Sequence, residues 1–473
     1  MTDVLPQYFD FNQAFSPKIK TSHWTRQCAS QIYPRPENTI PPFDTYRVKT
    51  LMPGYHVWDS WFALTEDGCV ATIEGYTILL ALVRPLDETV EEKGTYQNRI
   101  ADQRERIAYF FSSDGVHYQV GGFLFKTPVY DDIREWSGST ILRDDGRLQT
   151  FYTIARGLII EGVWQTDQRF ATAIQRIGVE ESEEGQRVVI VATDYHAFLK
   201  EPDGLLYENP QQSAEREIKY ATRHRGDSGD EQVENFCFRD PKFIKDPATG
   251  RAYVLFEANT GPAFCPCGSV RRAYIGSADY QQDYAPTPDD LKANGCVGVM
   301  ELTNPSYTYG SFCHPWLTAN LVADEIERIN VLWLQNHVYL FVVAHGDKCA
   351  LLGEKPELLN RDFMLGFRAK HLFGELEPMN GSGVVLQQKS LGPMYTGQAE
   401  NKQYLYSWLI VEGLRPGELN CISYANYSTG LDGQCLPIKS AGPILTIQIK
   451  GLNSRIVDQY YGILPVTAEE ETE

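Results

Sequence analysis

The chain has 473 residues, and 43 Lys+Arg against 62 Asp+Glu give it a formal charge of −19. That length, with 42 % hydrophobic residues, supports a substantial core in one large or two ordinary domains and excludes a disordered chain. The acidity argues against a surface made for nucleic acid or anionic lipid and leaves a neutral or small partner, while the 12 % of aromatic residues can hold sugar faces as well as fill a core.

At the N-terminus no basic stretch precedes an apolar one, so no secretory signal is expected. No run reaches the roughly 18 apolar residues of a membrane span. The expectation is a soluble protein, cytoplasmic or secreted without a recognisable signal peptide. A helix is predicted around residues 22–31. Strand-length apolar runs follow at 76–83, 107–111, 150–154, 187–192, 252–256, 331–343, 404–410 and 444–449. Asp114-Gly115, Asp144-Asp145-Gly146, Thr249-Gly250 and Asp432-Gly433 punctuate them as turns. A second short helix is predicted at 288–293, and the polar stretches 87–103 and 208–234 read as long loops framing a site. The pattern is all-β, a propeller or a large double sandwich, with no exact repeat to count blades by. A single domain over 1–473 is expected, with 1–45 an N-terminal extension packed on it and 466–473 an acidic flexible tail.

Ten cysteines are scattered, and the one tight pair, Cys265 and Cys267, lacks a second pair at zinc-ligand spacing. Phosphate loops, H-E-x-x-H and the G-x-S-x-G elbow are absent from the sequence. What stands out is carboxylates beside tryptophans. His56-Val-Trp58-Asp59-Ser60-Trp61 sets an acid between two indoles, where a carboxylate needs a partner or a job; Asp59 reads as that or as a turn residue with Trp58 and Trp61 in the core. Glu135-Trp136-Ser137-Gly138-Ser139 repeats the theme. Phe238-Arg239-Asp240-Pro241 joins a donor to an acceptor, suited to hydroxyl recognition or to a salt-bridged turn. In Asp324-Glu325-Ile326-Glu327-Arg328, a strand would turn Glu325 and Glu327 the same way, and crowding lets one of them keep a proton near neutral pH.

Together these clusters resemble glycoside hydrolase family 68, the levansucrases, inulosucrases and bacterial β-fructofuranosidases. The motifs run in the family's order from Ser22-His-Trp-Thr-Arg26 through Phe256-Glu-Ala-Asn-Thr-Gly261 to Asp324-Glu-Ile-Glu-Arg328. The resemblance implies a five-bladed β-propeller with a central funnel that cleaves sucrose through a covalent fructosyl-enzyme and passes fructose to water or a sugar. It implies Asp59 as nucleophile, Glu327 as general acid/base and Asp240, paired with Arg239, as transition-state stabiliser. Trp58, Trp136 and Ser137 would line the fructose pocket, Ser137 donating to Asp59, with Glu325, Arg239, His345 and Tyr406 toward the glucose side. His345 stands where some members carry Arg, which favours hydrolysis and short oligosaccharides over long levan. Phe62, Ile329 and Trp408 depart from the family's usual residues beside the funnel. No cofactor is expected. The calcium of some members would find Asp324 and Glu234, but the segment after Gly261 differs, so no metal is predicted. The alternatives are a related propeller furanosidase acting on fructans or arabinofuranosides, or a carbohydrate-binding propeller without turnover.

Overall fold

Runs of strand length joined by short turns pair with their sequence neighbours. In the computed structural model, which describes residues 19–462 apart from 87–104, 127–133, 184, 221–235, 265–271, 282–283, 391–401 and 431, they form five antiparallel meanders, the blades of a five-bladed β-propeller. The first blade runs Tyr55–Thr65, Tyr76–Pro85, Arg106–Ser112, Gln119–Phe123; the second runs Arg134–Leu142, Leu148–Ile160, Val163–Ser182, Gly185–Lys200. The third is Phe238–Lys245, Ala252–Asn259, Gly295–Leu302, Gly310–Thr318, and the fourth is Glu327–Leu334, His337–His345, Arg361–Ala369, Val384–Lys389. Leu405–Glu412, Glu418–Ala425, Ile444–Lys450 and Asn453–Tyr460 make the fifth.

The first strand of each blade packs against the first strands of both neighbouring blades, so these five form the inner ring. The ring closes between the last blade and the first, where the Val57 N–H donates to the Lys439 carbonyl. Each interface between blades has its own apolar cluster. Trp316 and Leu317 meet Leu340 and Phe363 between the third and fourth blades, and Phe341 meets Trp408 and Leu419 between the fourth and fifth. Middle strands such as Tyr76–Pro85 are covered on both sides, which explains their unbroken apolar runs. Removing a buried indole such as Trp316 would cost about 3–5 kcal/mol.

Three sequence readings change. The run 331–343 is two strands, because Gln335 and Asn336 both take positive φ (51° and 62°) and make a two-residue hairpin turn. The helix expected over 22–31 shrinks to Arg26–Ala29, preceded by Ser22–His23 pairing in parallel with the outer edge of the third blade. In the polar stretch read as a loop, Pro210–Lys219 is a helix: Asn209 and Gln212 cap one another's backbone, and proline occupies the first turn. The helix expected at 288–293 is present as Pro288–Lys292.

No disulfide joins the eight described cysteines. Cys265, Cys267, Glu234 and the 466–473 tail lie outside the described residues. Among the described residues, no helix is long and apolar enough to cross a membrane.

Candidate active site

Each innermost strand carries one extra residue relative to its partner, and each irregularity falls on residues singled out above. The register slips between Val57 and Ser60, Trp136 and Gly138, Arg239 and Lys242, Glu327 and Asn330, and Tyr406 and Leu409. A bulge bends a strand and re-aims its side chains. Asp240, Arg328 and Ser407 take positive φ inside these bulges (56°, 54° and 61°), a strained setting for residues with side chains. Pro241 fits a bulge because it has no N–H to contribute to the ladder. Gly138 is required by close approach: a Cβ there would lie 1.9 Å from the Phe151 carbonyl oxygen.

One side of the site joins Asp59 to Asp240. The Ser137 hydroxyl lies 3.3 Å from Asp59 Oδ2 and also donates to Asp240 Oδ1. A single hydroxyl proton serves one carboxylate at a time, so the group is eased when Asp240 holds a proton of its own. Burial raises Asp240, Arg328 opposes it and the charge of Asp59 adds to the rise. The Asp240 N–H is fixed by Thr153 Oγ1 at 3.0 Å. Trp58 is partly exposed, with the Lys439 ammonium 5.5 Å from a ring centroid. Trp136, also partly exposed, flanks Ser137.

The other side is built around the Arg239 guanidinium. It donates to Glu257 through Nε (2.8 Å), and through Nη2 to Glu325 (3.1 Å) and Glu327 (3.0 Å). The expected pairing of Arg239 with Asp240 is therefore corrected: the bulge turns neighbouring side chains to different partners, and Arg328 is the cation that acts most on Asp240. Tyr406 donates its hydroxyl to Glu327 Oε2 at 2.6 Å. Burial, then the charge of Glu325, raises Glu327 to about 7, whereas Glu325 is lowered because Lys348, Arg239 and His345 outweigh its burial. One carboxyl of the crowded pair thus keeps a proton near neutrality and the other stays ionised. His345 stacks on Tyr406 (centroids 4.3 Å apart), places Nδ1 2.9 Å from Asp362, and holds Nε2 3.8–3.9 Å from Glu327 and Glu325. Although burial works against it, Asp362 raises the imidazole to about 10, so it is a cation at neutral pH.

The sequence assigns no role to two residues of this network, although Glu257 stands in the Phe256–Gly261 motif. Asp362 orients His345 and accepts a 2.8 Å bond from the Tyr404 hydroxyl; Glu257 anchors Arg239 from a strand that is otherwise apolar apart from Asn259. A carboxylate in such a strand is the signal that could have found Glu257. Glu135 turns away from this network: its Oε2 accepts the Ile107 N–H at 2.9 Å, and burial raises it to about 7. Trp61 is core, donating its indole N–H to Thr140 at 3.0 Å. Phe62 and Trp408 are likewise buried in blade interfaces, Trp408 packing against Tyr406 with ring centroids 5.7 Å apart.

Two trios could offer metal ligands, Cys237 with Glu257 and Glu325, and Glu325 with Glu327 and His345. The Arg239 guanidinium already supplies positive charge to both. At Asp324, the buried guanidinium of Arg216 is the neighbouring cation, bonded to Glu208 through Nη2 at 2.9 Å; despite burial, the charges of Glu208, Glu217 and Asp324 raise it.

A propeller whose inner ring gathers one proton-holding carboxyl beside an ionised one, across from a second carboxylate pair, has the groups that glycoside cleavage requires. The match to the family model for Levansucrase/Invertase spans residues 14–461, and the chain belongs to that family, glycoside hydrolase family 68. A levansucrase of Bacillus amyloliquefaciens is 31 % identical over 393 residues, 79 % of this chain and 77 % of that protein. A protein of Geobacillus stearothermophilus called an inactive levansucrase is 30 % identical over 389 residues, 77 % of this chain and 75 % of that one. Among solved structures, the inulosucrase of Halalkalicoccus jeotgali bound to kestose is 28 % identical, with a TM-score of 0.70 over 96 % of this chain and 100 % of that one. The chain is accordingly a sucrose-cleaving glycoside hydrolase and fructosyltransferase, passing the fructosyl unit to water or to acceptors.

Proposed function

We propose that Asp59 attacks the anomeric carbon of the fructosyl unit while Glu327 gives its proton to the glycosidic oxygen, releasing glucose and leaving fructose esterified to Asp59. Glu327, now a carboxylate, takes a proton from water or a sugar hydroxyl, which attacks the same carbon and frees Asp59. Asp240 grips fructosyl hydroxyls as oxocarbenium character develops. Trp58, Trp136 and Ser137 line the fructose side; Arg239, Glu325, His345 and Tyr406 line the glucose side. The observation that carries this reading is the raised Glu327, crowded by Glu325 and held by Tyr406 and Arg239.

For products, His345 is held inward, its Nδ1 2.9 Å from Asp362 and its Nε2 facing Glu325 and Glu327 at 3.8–3.9 Å. That leaves it a poor grip on a growing chain, so hydrolysis and short fructo-oligosaccharides are favoured. We further read the fold as independent of divalent cations, since Arg216 provides positive charge near Asp324. The partners are sucrose and sugar acceptors, not nucleic acid or membrane, in keeping with the charge of −19. Incubation with sucrose tests the set. Glucose in modest excess over fructose, with short oligomers and no change on chelation, is expected. High-polymer levan would refute the product reading, loss of activity on chelation the metal reading, and failure to release glucose the mechanism.

A further inference from the structure

The seam between the fifth blade and the first carries a cation that the proposed reaction leaves unused. Lys439 immediately precedes the short strand Ser440–Ala441, and its backbone is bonded on both sides. Its N–H donates to His56 Nδ1 at 3.2 Å, and its carbonyl accepts the Val57 N–H at 2.9 Å. Trp58 and Asp59 follow directly, so Lys439 is pinned beside the first of the bulges that aim the site residues. Because this anchoring runs through the backbone, the ammonium is not needed to close the ring.

Aromatic rings hold the ammonium itself. Lys439 Nζ lies 5.5 Å from a Trp58 ring centroid and 5.0 Å from that of Tyr424, both within the roughly 6 Å at which a cation is drawn to a π face. Both rings belong to the site. Trp58 adjoins Asp59, and Tyr424 stands edge-on to Tyr406 with centroids 6.4 Å apart, the tyrosine that donates to Glu327. Burial, then the charges of Asp59 and Glu327, raise the Tyr424 hydroxyl, which keeps that ring in reach of both sides.

Lys439 is half-buried and makes no ion pair and no hydrogen bond among the described residues. An ammonium has three donors, and two ring faces do not use them all. Nearby carboxylates are turned elsewhere: Asp59 and Asp240 meet at Ser137, and Glu105 lies 3.9 Å from Arg134. Burial and the charge of Arg84 lower Lys439 to about 8, with Asp59 and Glu105 opposing, so it is mainly a cation at neutral pH. Asp59 and Asp240 can take protons from sugar hydroxyls. A hydroxyl that gives its proton away keeps lone pairs, and an ammonium at the next seam meets them with a charge-assisted bond. An anionic group on the ligand would be set against both carboxylates, which leaves a neutral hydroxyl as the acceptor that fits.

We infer that Lys439 is a specificity-determining residue, donating a hydrogen bond to a hydroxyl of the fructosyl unit from between Trp58 and Tyr424. The inference rests on the reading of Asp59 and its neighbours as the fructose side, to which it adds a charged donor.

Deoxy analogues of sucrose, paired with a side-chain variant, test it. Lys439→Met should lower kcat/KM on sucrose by about 10–100-fold, the worth of a hydrogen bond to a charged group. The penalty for removing one fructosyl hydroxyl should shrink by the same factor in that variant, with the penalties at other positions unchanged. Undiminished penalties for every fructosyl analogue, or a diminished one at a glucosyl position, would overturn the inference. A second measurement leaves Lys439 in place, so it holds even if the variant fails to fold. In Glu327→Gln, bound sucrose should shield Lys439 from a brief pulse of acetic anhydride, read by mass spectrometry; equal acetylation with and without sucrose would contradict the contact. Sucrose cleavage that survives Asp59→Ala would sink the reading of the site, whereas undiminished penalties beside an inactive Asp59→Ala would sink the role of Lys439 alone.

Discussion

The two carboxylate pairs of the site are bridged by opposite means. Asp59 and Asp240 share a neutral hydroxyl, that of Ser137, whereas Glu325 and Glu327 share a guanidinium, that of Arg239, with the charged His345 close by. A hydroxyl orients without neutralising and, on the proposed mechanism, leaves Asp59 free to act as a nucleophile. A guanidinium flanked by two carboxylates settles which of them holds the proton: Glu325, with more cations around it, stays ionised and pushes Glu327 up. On the proposed mechanism the difference divides the chemistry between the two sides of the bond to be broken.

The largest expected effect comes from breaking the hydroxyl-bridged side. Asp59→Ala should lower glucose release from sucrose by about 10⁴–10⁶-fold with the fold retained, measured by turnover and circular dichroism. On the other side, Glu327→Gln should cost about 10²–10⁴-fold with sucrose, whose leaving group needs a proton. It should cost far less in the first step with β-fructosyl fluoride, whose leaving group does not. Equal losses on both substrates would remove the general acid from Glu327. Removing the bridge itself, Ser137→Ala, should reduce kcat/KM by about 10–100-fold, the worth of a hydrogen bond to a charged group.

The smallest effects are displacements of the pH profile. Wild-type kcat/KM should fall on the alkaline side with an apparent pKa near 7, as Glu327 loses its proton. The charge of Glu325 raises Glu327, so Glu325→Gln should move that limb to lower pH. The charge of His345 lowers Glu327, and Asp362 keeps His345 protonated; Asp362→Asn should therefore move the limb the opposite way, to higher pH. Shifts in the same direction for both variants would break the comparison.

The sequence made the carboxylates visible because each stands beside an indole, a hydroxyl or a second acid, combinations that a solvated surface does not need. It did not show why they converge. The five bulges are a structural repeat, but segments of unequal length separate them, and the bulged residues differ in each blade: Trp58-Asp59, Trp136-Ser137, Arg239-Asp240, Glu327-Arg328, Tyr406-Ser407. Periodicity could not reveal such a pattern. Arg239 was placed with its chain neighbour Asp240, since adjacency is all that a sequence displays, while its partners Glu257 and Glu325 come from other strands and loops. Asp362 was hidden for the same reason: it faces His345 across two paired strands. The helix Pro210–Lys219 was missed although its capping pair, Asn209 and Gln212, is present in the sequence, because the polarity of the surrounding stretch outweighed it.

The assignment of the two pairs is tested most directly by trapping the intermediate. Glu327→Gln should be mixed with β-fructosyl fluoride, quenched in acid, digested and examined by mass spectrometry. One fructosyl unit attached to the peptide that contains Asp59, and absent from the Asp59→Ala, Glu327→Gln double variant, is the predicted result. Label on a peptide containing Asp240 or Glu325, or no label while fluoride is still released, would contradict it.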